Sequence, residues 1–343
     1  MVNYKWKLKD INKVDKNGYK VFSCFACGGG SCMGYKLAGY EVIGINEIDK
    51  SINKMYLKNF SPKYNYNMPI QELVKMKDFP SDLYDIDILN GSPPCSTFSM
   101  AGKREEKWGV KTYFREGQEE QVLDELFFYY IKLAEILKPK IVVAENVKGL
   151  ISGNAKGYVN KIIKEYERIG YDVQLFCLNA AEMGVPQRRE RVFFICRRKD
   201  LNLSKIKLEF HEKPIFYREF AEPKSKPLNK ETKYYKLWLK RKPGDKKYSD
   251  IGKRTENKES NFNTSLIYLN DIPPTLTSGA IFIRFDRPEK LSDIEYIHIQ
   301  SFPEDYNFDG MDVKYVTGMS VPPLMMYRIS KEIQTQLLDK IKR

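Results

Sequence analysis

Short apolar segments alternate with helical patterns along the first 200 residues, and no other feature constrains the fold as strongly. Buried strands are indicated at residues 20–26, 41–46, 86–89, 141–144, 172–178 and 192–196. Helical spacing of apolar residues is found at 32–38, 49–60, 123–137 and 158–169. Strands that alternate with helices predict an α/β fold with a mostly parallel sheet covered on both faces.

The pattern changes near residue 200. Residues 201–270 carry 17 Lys and Arg against 9 Asp and Glu, are rich in aromatic residues, and show no helical period. We interpret them as a separate basic module of mostly irregular and β structure. Compact patterns return from Leu291 and end in a helix at about 322–340. We therefore predict an N-terminal extension (1–18), a main α/β domain (19–200), the basic module (201–285) and a C-terminal segment that returns to the main domain (286–343).

Composition excludes several classes of protein. The chain of 343 residues is 42% hydrophobic, which suffices for a core. It has no run of about 18 apolar residues, so we expect no membrane span. The first residues are polar and basic, which predicts no secretory signal and a cytoplasmic location. The six cysteines do not resemble a disulfide framework, and the net charge of +13 favours a polyanionic partner.

A glycine-rich loop follows the first predicted strand. Glycines at 28, 29, 30 and 34 allow a tight turn and a close approach of the backbone to a ligand. Glu47 ends the second strand, where an acid can accept hydrogen bonds from a ribose diol. The spacing differs from the dinucleotide pattern and suits S-adenosylmethionine, which lacks a pyrophosphate. A purely structural turn is the alternative.

Three further motifs lie beside predicted strands. Residues 90–99 (NGSPPCSTFS) hold Cys95 after two prolines, and a thiol fixed there can act as a nucleophile. Residues 144–147 (AENV) place Glu145 at a strand end, where it can act as a proton donor. Residues 186–191 (PQRRER) hold Arg189 and Arg191, which face one side of an extended segment and could bind a phosphate or a base. Each motif alone also has a structural explanation.

Taken together, the motifs GGG, SPPC, ENV, QRRER and the terminal GMSVPP, in this order, resemble the DNA cytosine-5 methyltransferases. The resemblance extends from about Lys20 to the C-terminal helix. The basic module lies where that family keeps its target-recognition domain. The resemblance implies a Rossmann-like catalytic core that uses S-adenosylmethionine. It also implies methylation of carbon 5 of a flipped-out cytosine in a short DNA sequence.

The resemblance also implies roles for individual residues. Cys95 is the expected nucleophile that forms a covalent adduct, Glu145 interacts with ring nitrogen 3, and Arg189 and Arg191 position the base and its phosphate. The expected cofactor contacts are Phe25, Gly28, Gly29, Gly30, Glu47, Ile48, Ile70, Ser92, Pro94 and Val321. The expected DNA contacts are Ser99, Lys103, Arg104 and Gln187.

Some positions depart from the family pattern. Cys27 replaces a usual glycine, Ile70 stands where an Asp is common, and Met319 replaces the Asn of the terminal motif. Ile294 and His298 replace two arginines. We expect these changes to affect cofactor affinity more than the chemistry. Cys24, Cys27 and Cys32 have no fourth ligand nearby in the sequence, so we predict no metal site.

The expected partner is double-stranded DNA, with a monomeric enzyme and a cognate restriction endonuclease as a candidate partner. A solitary or phage DNA-modifying enzyme is equally compatible with the sequence. Two other functions stay open. One is an RNA cytosine-5 methyltransferase built on the same core, and the other is a DNA-binding relative that has lost catalysis.

Overall fold

The computed structural model describes residues 2–94, 125–152, 156–256 and 264–341. The chain divides into two compact units. The sheet unit comprises Lys9–Asn179, Glu190–Glu209 and Met326–Arg343. The companion unit comprises Met1–Leu8, Ala180–Arg189 and Phe210–Met325.

The sheet unit is built around a seven-stranded sheet of order β3-β2-β1-β4-β5-β7-β6. Its strands are β1 (Lys20–Cys24), β2 (Glu41–Asn46), β3 (Tyr64–Tyr66), β4 (Ile88–Gly91), β5 (Ile141–Val147), β6 (Tyr171–Asn179) and β7 (Glu190–Arg198). Strands β1 to β5 pair in parallel, while β7 is antiparallel to both β5 and β6. Its helices are α1 (Gly30–Leu37), α2 (Lys50–Asn59), α3 (Ile70–Leu73), α4 (Ser81–Tyr84), α5 (Leu126–Leu137) and α6 (Lys156–Arg168).

Local sequence signals explain where these helices begin and end. The Asp49 side chain accepts hydrogen bonds from the backbone N–H groups of Ser51 and Ile52 and so caps α2. Helix α1 is followed by Gly39, whose φ of 94° favours glycine. A Cβ at this glycine would lie 2.5 Å from the backbone oxygen of Asp15. The central strands are apolar runs with buried side chains. Alternate residues of these strands, such as Phe22, Leu89 and Val142, form a core with α5 and α6.

The companion unit contains a four-stranded sheet of order β8-β11-β10-β9. The strands are β8 (Lys226–Pro227), β9 (Thr264–Ile267), β10 (Ile281–Arg284) and β11 (Glu289–Lys290). The helices are α7 (Lys233–Leu239), α8 (Tyr248–Glu256), α9 (Asp293–Ile299) and α10 (Val313–Met319). Leu266 and Ile283 belong to one core, and Ile267 and Phe282 to another, as the alternation of side chains along a strand requires.

Helix α11 (Pro323–Gln336) begins with the last residues of the companion unit and continues into the final segment of the sheet unit. The remaining helical segments are short 3-10 turns at Leu8–Lys13, Lys148–Ile151, Ala180–Met183, Lys199–Leu201, Tyr217–Glu219 and Leu338–Lys340. No helix among the described residues is long and apolar enough to cross a membrane.

The predicted mostly parallel α/β sheet is confirmed. The prediction missed β3, which has only three residues, and the four-residue helices α3 and α4. In the basic module, where no helical period was expected, the structure has α7 and α8. Both helices are short, and one of them begins at a Thr232 cap. The domain boundaries stay a prediction.

Candidate active site

The ends of four neighbouring parallel strands bring the sequence motifs together. In the register of the sheet, Cys24 of β1 lies beside Asn46 of β2 and Gly91 of β4, and Gly91 lies beside Ala144 of β5. The residues that follow these positions therefore lie along one edge of the sheet. Adjacent strands are about 4.8 Å apart, so this row spans roughly 14 Å from β2 to β5. Ligands of open parallel sheets bind at this edge.

The glycine loop after β1 has a strained backbone that a carboxylate stabilises. Phe25, Cys27 and Gly29 have φ angles of 53°, 48° and 75°, which are unfavourable for the two residues with side chains. Oε2 of Glu47 accepts a 2.9 Å hydrogen bond from the Cys27 N–H, and Oε1 accepts one from the Asp49 N–H. Burial raises the pKa of Glu47, although these backbone hydrogen bonds oppose the shift. Glu47 thus holds the loop in place from the end of β2.

Two asparagines that the sequence analysis did not single out fix the neighbouring backbone. The Asn46 amide donates to the carbonyls of Tyr66 and Met68, at 3.0 and 2.8 Å. The Asn67 amide donates to the carbonyls of Glu47 and Ile48, at 2.7 and 3.3 Å. For Asn46 a signal was present in the sequence, since it is a polar residue that ends an apolar strand.

The other predicted cofactor contacts of the sheet unit lie on the same loops. Gly28, Gly29 and Gly30 are buried, and Gly30 begins α1. Phe25 and Ile48 are half-buried, whereas Ile70 is fully buried at the start of α3. Ser92 and Pro94 are half-buried beyond the end of β4.

The segment that leads to Cys95 is tied to the motif that holds Glu145. The Asn146 amide donates a 3.1 Å hydrogen bond to the Pro93 carbonyl, and its oxygen accepts one from the Val147 N–H. Asn146 is buried, so this bond is shielded from water. Cys95 itself lies outside the described residues, together with Ser99, Lys103 and Arg104. Their predicted roles stay predictions.

Glu145 and Arg191 form an ion pair at this edge. Arg191 Nε lies 3.0 Å from Glu145 Oε1, and both side chains are only 12% exposed. Burial lowers the pKa of Arg191, and the Glu145 carboxylate counteracts this effect. The guanidinium therefore contacts Oε1 and fixes the orientation of the carboxyl group.

The remaining predicted site residues lie in the companion unit. Arg189 is 2% exposed, and its guanidinium donates to the carbonyls of Leu276 at 2.6 Å, Ser320 at 3.1 Å and Gly318 at 3.4 Å. Val321 is 6% exposed and directly follows Ser320 in the chain.

Gln187 belongs to the same buried polar network. Its amide nitrogen donates to the Ile299 carbonyl and the Gln300 side chain, and its oxygen accepts from the Leu276 N–H. The side chain is fully buried. Gln187 and Arg189 thus connect parts of the companion unit that are about 90 to 130 residues away in the chain. Their predicted DNA contacts stay predictions.

Most of the described cysteines are unsuited to nucleophilic attack. Burial raises the pKa of the thiols of Cys24, Cys32 and Cys196, which keeps them protonated. The pKa of Cys177 is also raised, chiefly by partial burial. Within the described ranges, no three His, Cys, Asp or Glu side chains are grouped to hold a metal ion.

Comparisons with known proteins agree with this geometry. The model of the C-5 cytosine-specific DNA methylase family matches residues 19–335. The type II methyltransferase M.FnuDI of Fusobacterium nucleatum is 31% identical, over 94% of this chain and 96% of that protein. M.Sau96I of Staphylococcus aureus is 30% identical, over 96% of this chain and 80% of that protein.

A solved structure, that of a DNMT2 mutant of Spodoptera frugiperda, has the same fold. It superposes with a TM-score of 0.63 at 17% identity and covers 92% of this chain and 100% of its own.

The sequence motifs lie at the ends of neighbouring strands, and the family model matches most of the chain. Together these findings define a nucleic-acid methyltransferase. The chain belongs to the C-5 cytosine-specific DNA methylase family. It is a DNA (cytosine-5-)-methyltransferase, and its family uses S-adenosylmethionine as the methyl donor.

Proposed function

We propose that the enzyme methylates a flipped-out cytosine within one short duplex motif through a covalent adduct with Cys95. One observation carries the proposal. Glu145, which its ion pair with Arg191 holds in place, lies at the same sheet edge as the segment leading into Cys95. The Asn146–Pro93 hydrogen bond joins the two segments. A nucleophile and a proton-sharing group need such a fixed mutual position. Two consecutive prolines and a buried hydrogen bond hold the segment that precedes Cys95, which supports this proposal.

In the proposed reaction, the Cys95 sulfur bonds to carbon 6 of cytosine, and the C5=C6 electron pair makes carbon 5 nucleophilic. Oε2 of Glu145 shares a proton with ring nitrogen 3 and stabilises the charge that develops on the ring. Arg191 keeps Glu145 in position. Carbon 5 would take the methyl group that the cofactor supplies. Transfer of the carbon 5 proton to a base then restores the C5=C6 double bond, and Cys95 leaves as a thiolate.

The loops after β1 and β2 fit S-adenosylmethionine, which when bound supplies an electrophilic methyl group. The Glu47 carboxylate is buried, and its oxygens already accept two backbone hydrogen bonds, so it is preorganised for a ribose diol. The half-buried Phe25 and Ile48 offer apolar contacts on these loops, and the buried Ile70 is proposed as a further contact. Asn67 holds the backbone of Glu47 and Ile48 and so fixes both contacts. In the companion unit, Val321 is proposed as a further contact.

The wider biological setting is proposed from the relatives. Both named relatives are bacterial type II methyltransferases, which favours a role in restriction–modification beside a cognate endonuclease. A solitary or phage modification enzyme is the other setting that we consider. We propose a monomer that acts on double-stranded DNA in the cytoplasm of a bacterial cell or a phage-infected host.

Mapping of 5-methylcytosine tests the proposed function. Purified enzyme is incubated with unmethylated genomic DNA and S-adenosylmethionine, and the product is read by bisulfite sequencing. We expect methylated cytosines within one recurring motif. The Cys95→Ser variant should give none, while its DNA binding persists. Methylation by that variant at a near-normal rate would contradict the covalent route.

The same assay separates the alternatives. Methylation of total RNA but not of DNA would favour an RNA cytosine-5 methyltransferase. Binding of DNA without methylation of either nucleic acid would favour a catalytically silent relative.

A further inference from the structure

A recess in the companion unit is lined by both apolar and cationic residues. We call its apolar residues Leu266, Ile272, Pro273 and Pro274 the floor, and its cations Arg188, Lys246 and Lys247 the rim. The recess measures about 110 Å³, several times the volume that one water molecule needs. Neither the methyl-transfer chemistry nor the cofactor loops use these residues.

The fold holds both sides of the rim rigidly. Lys247 pairs with Ser265 of β9 in an isolated antiparallel bridge, and the Leu266 N–H donates to the Lys246 carbonyl at 2.9 Å. The backbone N–H groups of both lysines also donate to Asp250, at 2.9 and 2.8 Å. The lysine side chains therefore start from a fixed backbone, which lowers the entropic cost of binding an anion.

The opposite side of the rim is equally well anchored. Arg188 pairs with Pro274, its N–H donates to the Pro273 carbonyl at 2.8 Å, and its carbonyl accepts from the Thr275 hydroxyl at 2.7 Å. Arg188 and Asp271 form a 3.2 Å ion pair whose side chains are 44% and 41% exposed. Such an exposed pair is weak, so the guanidinium can exchange Asp271 for another anion.

The positive charges on the rim are only partly compensated, since Asp271 forms its ion pair with Arg188. Lys246 and Lys247 are exposed, and within the described residues neither ammonium group has an ion-pair partner. Three cations and several apolar residues thus line the recess, and Asp271 is the only carboxylate among the described residues that line it. A ligand that matches this arrangement has anionic groups separated by an apolar surface.

The backbone of DNA has this character, because each apolar deoxyribose lies between two phosphates. We propose that the recess anchors the backbone of the DNA substrate. Lys246, Lys247 and Arg188 contact phosphates, and a deoxyribose packs on the floor. Phosphate contacts carry no sequence information, so the recess contributes affinity and register and leaves the choice of motif unchanged. This inference rests on the proposed function, since it assumes a DNA substrate.

The test measures DNA binding against salt. Each phosphate contact contributes about 0.9 to the slope of log K against log salt. The Lys246→Gln/Lys247→Gln variant loses two contacts, so its weaker binding should approach that of the wild type at higher salt. The ratio of the two Kd values should fall about tenfold between 50 and 200 mM salt. A charge-matched control changes Lys161 and Lys164, both exposed on α6, to glutamine, and should keep the wild-type slope.

A second variant tests the floor without changing the charge. Ile272→Asn puts a polar amide under the sugar and should weaken binding to all duplexes alike, with the salt slope retained. Thermal melts establish that each variant is folded. Bisulfite mapping should give the same methylated motif for every variant that methylates DNA.

Three results would overturn the inference. A constant Kd ratio across salt means that the lysines do not touch phosphate. An altered motif means that the recess reads bases. If the lysine variant behaves as expected but Ile272→Asn binds DNA as the wild type does, no deoxyribose packs on the floor. Failure of the proposed function is recognised separately, because wild-type enzyme would then leave DNA unmethylated whatever the variants do.

Discussion

Arg189→Met is expected to destabilise the companion unit far more than the same change at the neighbouring Arg188. The Arg189 guanidinium is buried and donates to three backbone carbonyls, two of which belong to the turn at the end of α10. Methionine keeps most of the apolar stem but donates no hydrogen bond. The substitution therefore isolates the polar contribution of the side chain.

The magnitude follows from the carbonyls that lose their donor. Ser320 O also accepts from the Gln300 amide at 2.5 Å, so it stays hydrogen-bonded. The carbonyls of Leu276 and Gly318 lose the guanidinium contact. A buried polar group without its partner costs about 1–3 kcal/mol, so the two carbonyls together make Arg189→Met cost about 2–6 kcal/mol. Arg188→Met breaks only an exposed ion pair, which is worth at most about 1 kcal/mol.

Urea unfolding monitored by tryptophan fluorescence suits this comparison. Trp6 and Trp238 both lie in the companion unit and donate to the carbonyls of Ser301 and Arg284. The third tryptophan, Trp108, lies outside the described residues. Equal stability of the Arg189→Met and Arg188→Met variants, within about 0.5 kcal/mol, would refute the reasoning. If Arg189→Met were as stable as Arg188→Met but bound DNA poorly, the Arg189 guanidinium would contribute to DNA binding and not to stability.

Three further predictions concern other parts of the structure. Gly91→Ala should cost about 1–3 kcal/mol in unfolding free energy by urea titration, because the new Cβ would lie 2.6 Å from the buried Tyr130 ring. Glu47→Gln should raise the Kd for S-adenosylmethionine about tenfold or more by calorimetry, because the carboxylate that braces the loop is lost; unchanged affinity would exclude this role. Burial lowers the pKa of His298 despite its bond to Glu304, so the unfolded chain takes up a proton near pH 6.5 that the folded chain does not. Stability should therefore fall as the pH drops below about 6.5, and His298→Gln should flatten this dependence between pH 7.5 and 5.5.

The strand-end arrangement could be predicted because apolar runs carry its signal. Strand β2 and the core of β5 and β7 match continuous apolar segments of the sequence. The motif residues follow such runs directly, so a parallel sheet had to bring Glu47 and Glu145 to one edge. The position of Glu145 beside Arg191 depends on the antiparallel pairing of β7 with β5, which periodicity does not reveal.

The structural use of Gln187 and Arg189 could not be predicted from the sequence. Both lie in a charged motif whose composition is typical of an exposed segment. Their hydrogen-bond partners are carbonyl and amide groups of segments that are distant in the chain. Backbone carbonyls leave no mark on a sequence, and only the fold brings them to a guanidinium. Helices α7 and α8 were missed for a related reason, because charged residues on their exposed faces obscured the few apolar positions that pack inward.

Covalent trapping tests the central claim most directly. Once the methylated motif is known, a duplex can carry 5-fluorocytosine at the target position. Fluorine cannot leave as a proton does, so the adduct should persist after methyl transfer. Mass spectrometry of the digested complex should then find the nucleotide on the peptide that contains Cys95. An adduct on another residue, or none from an enzyme that methylates the ordinary duplex, would contradict the proposed mechanism.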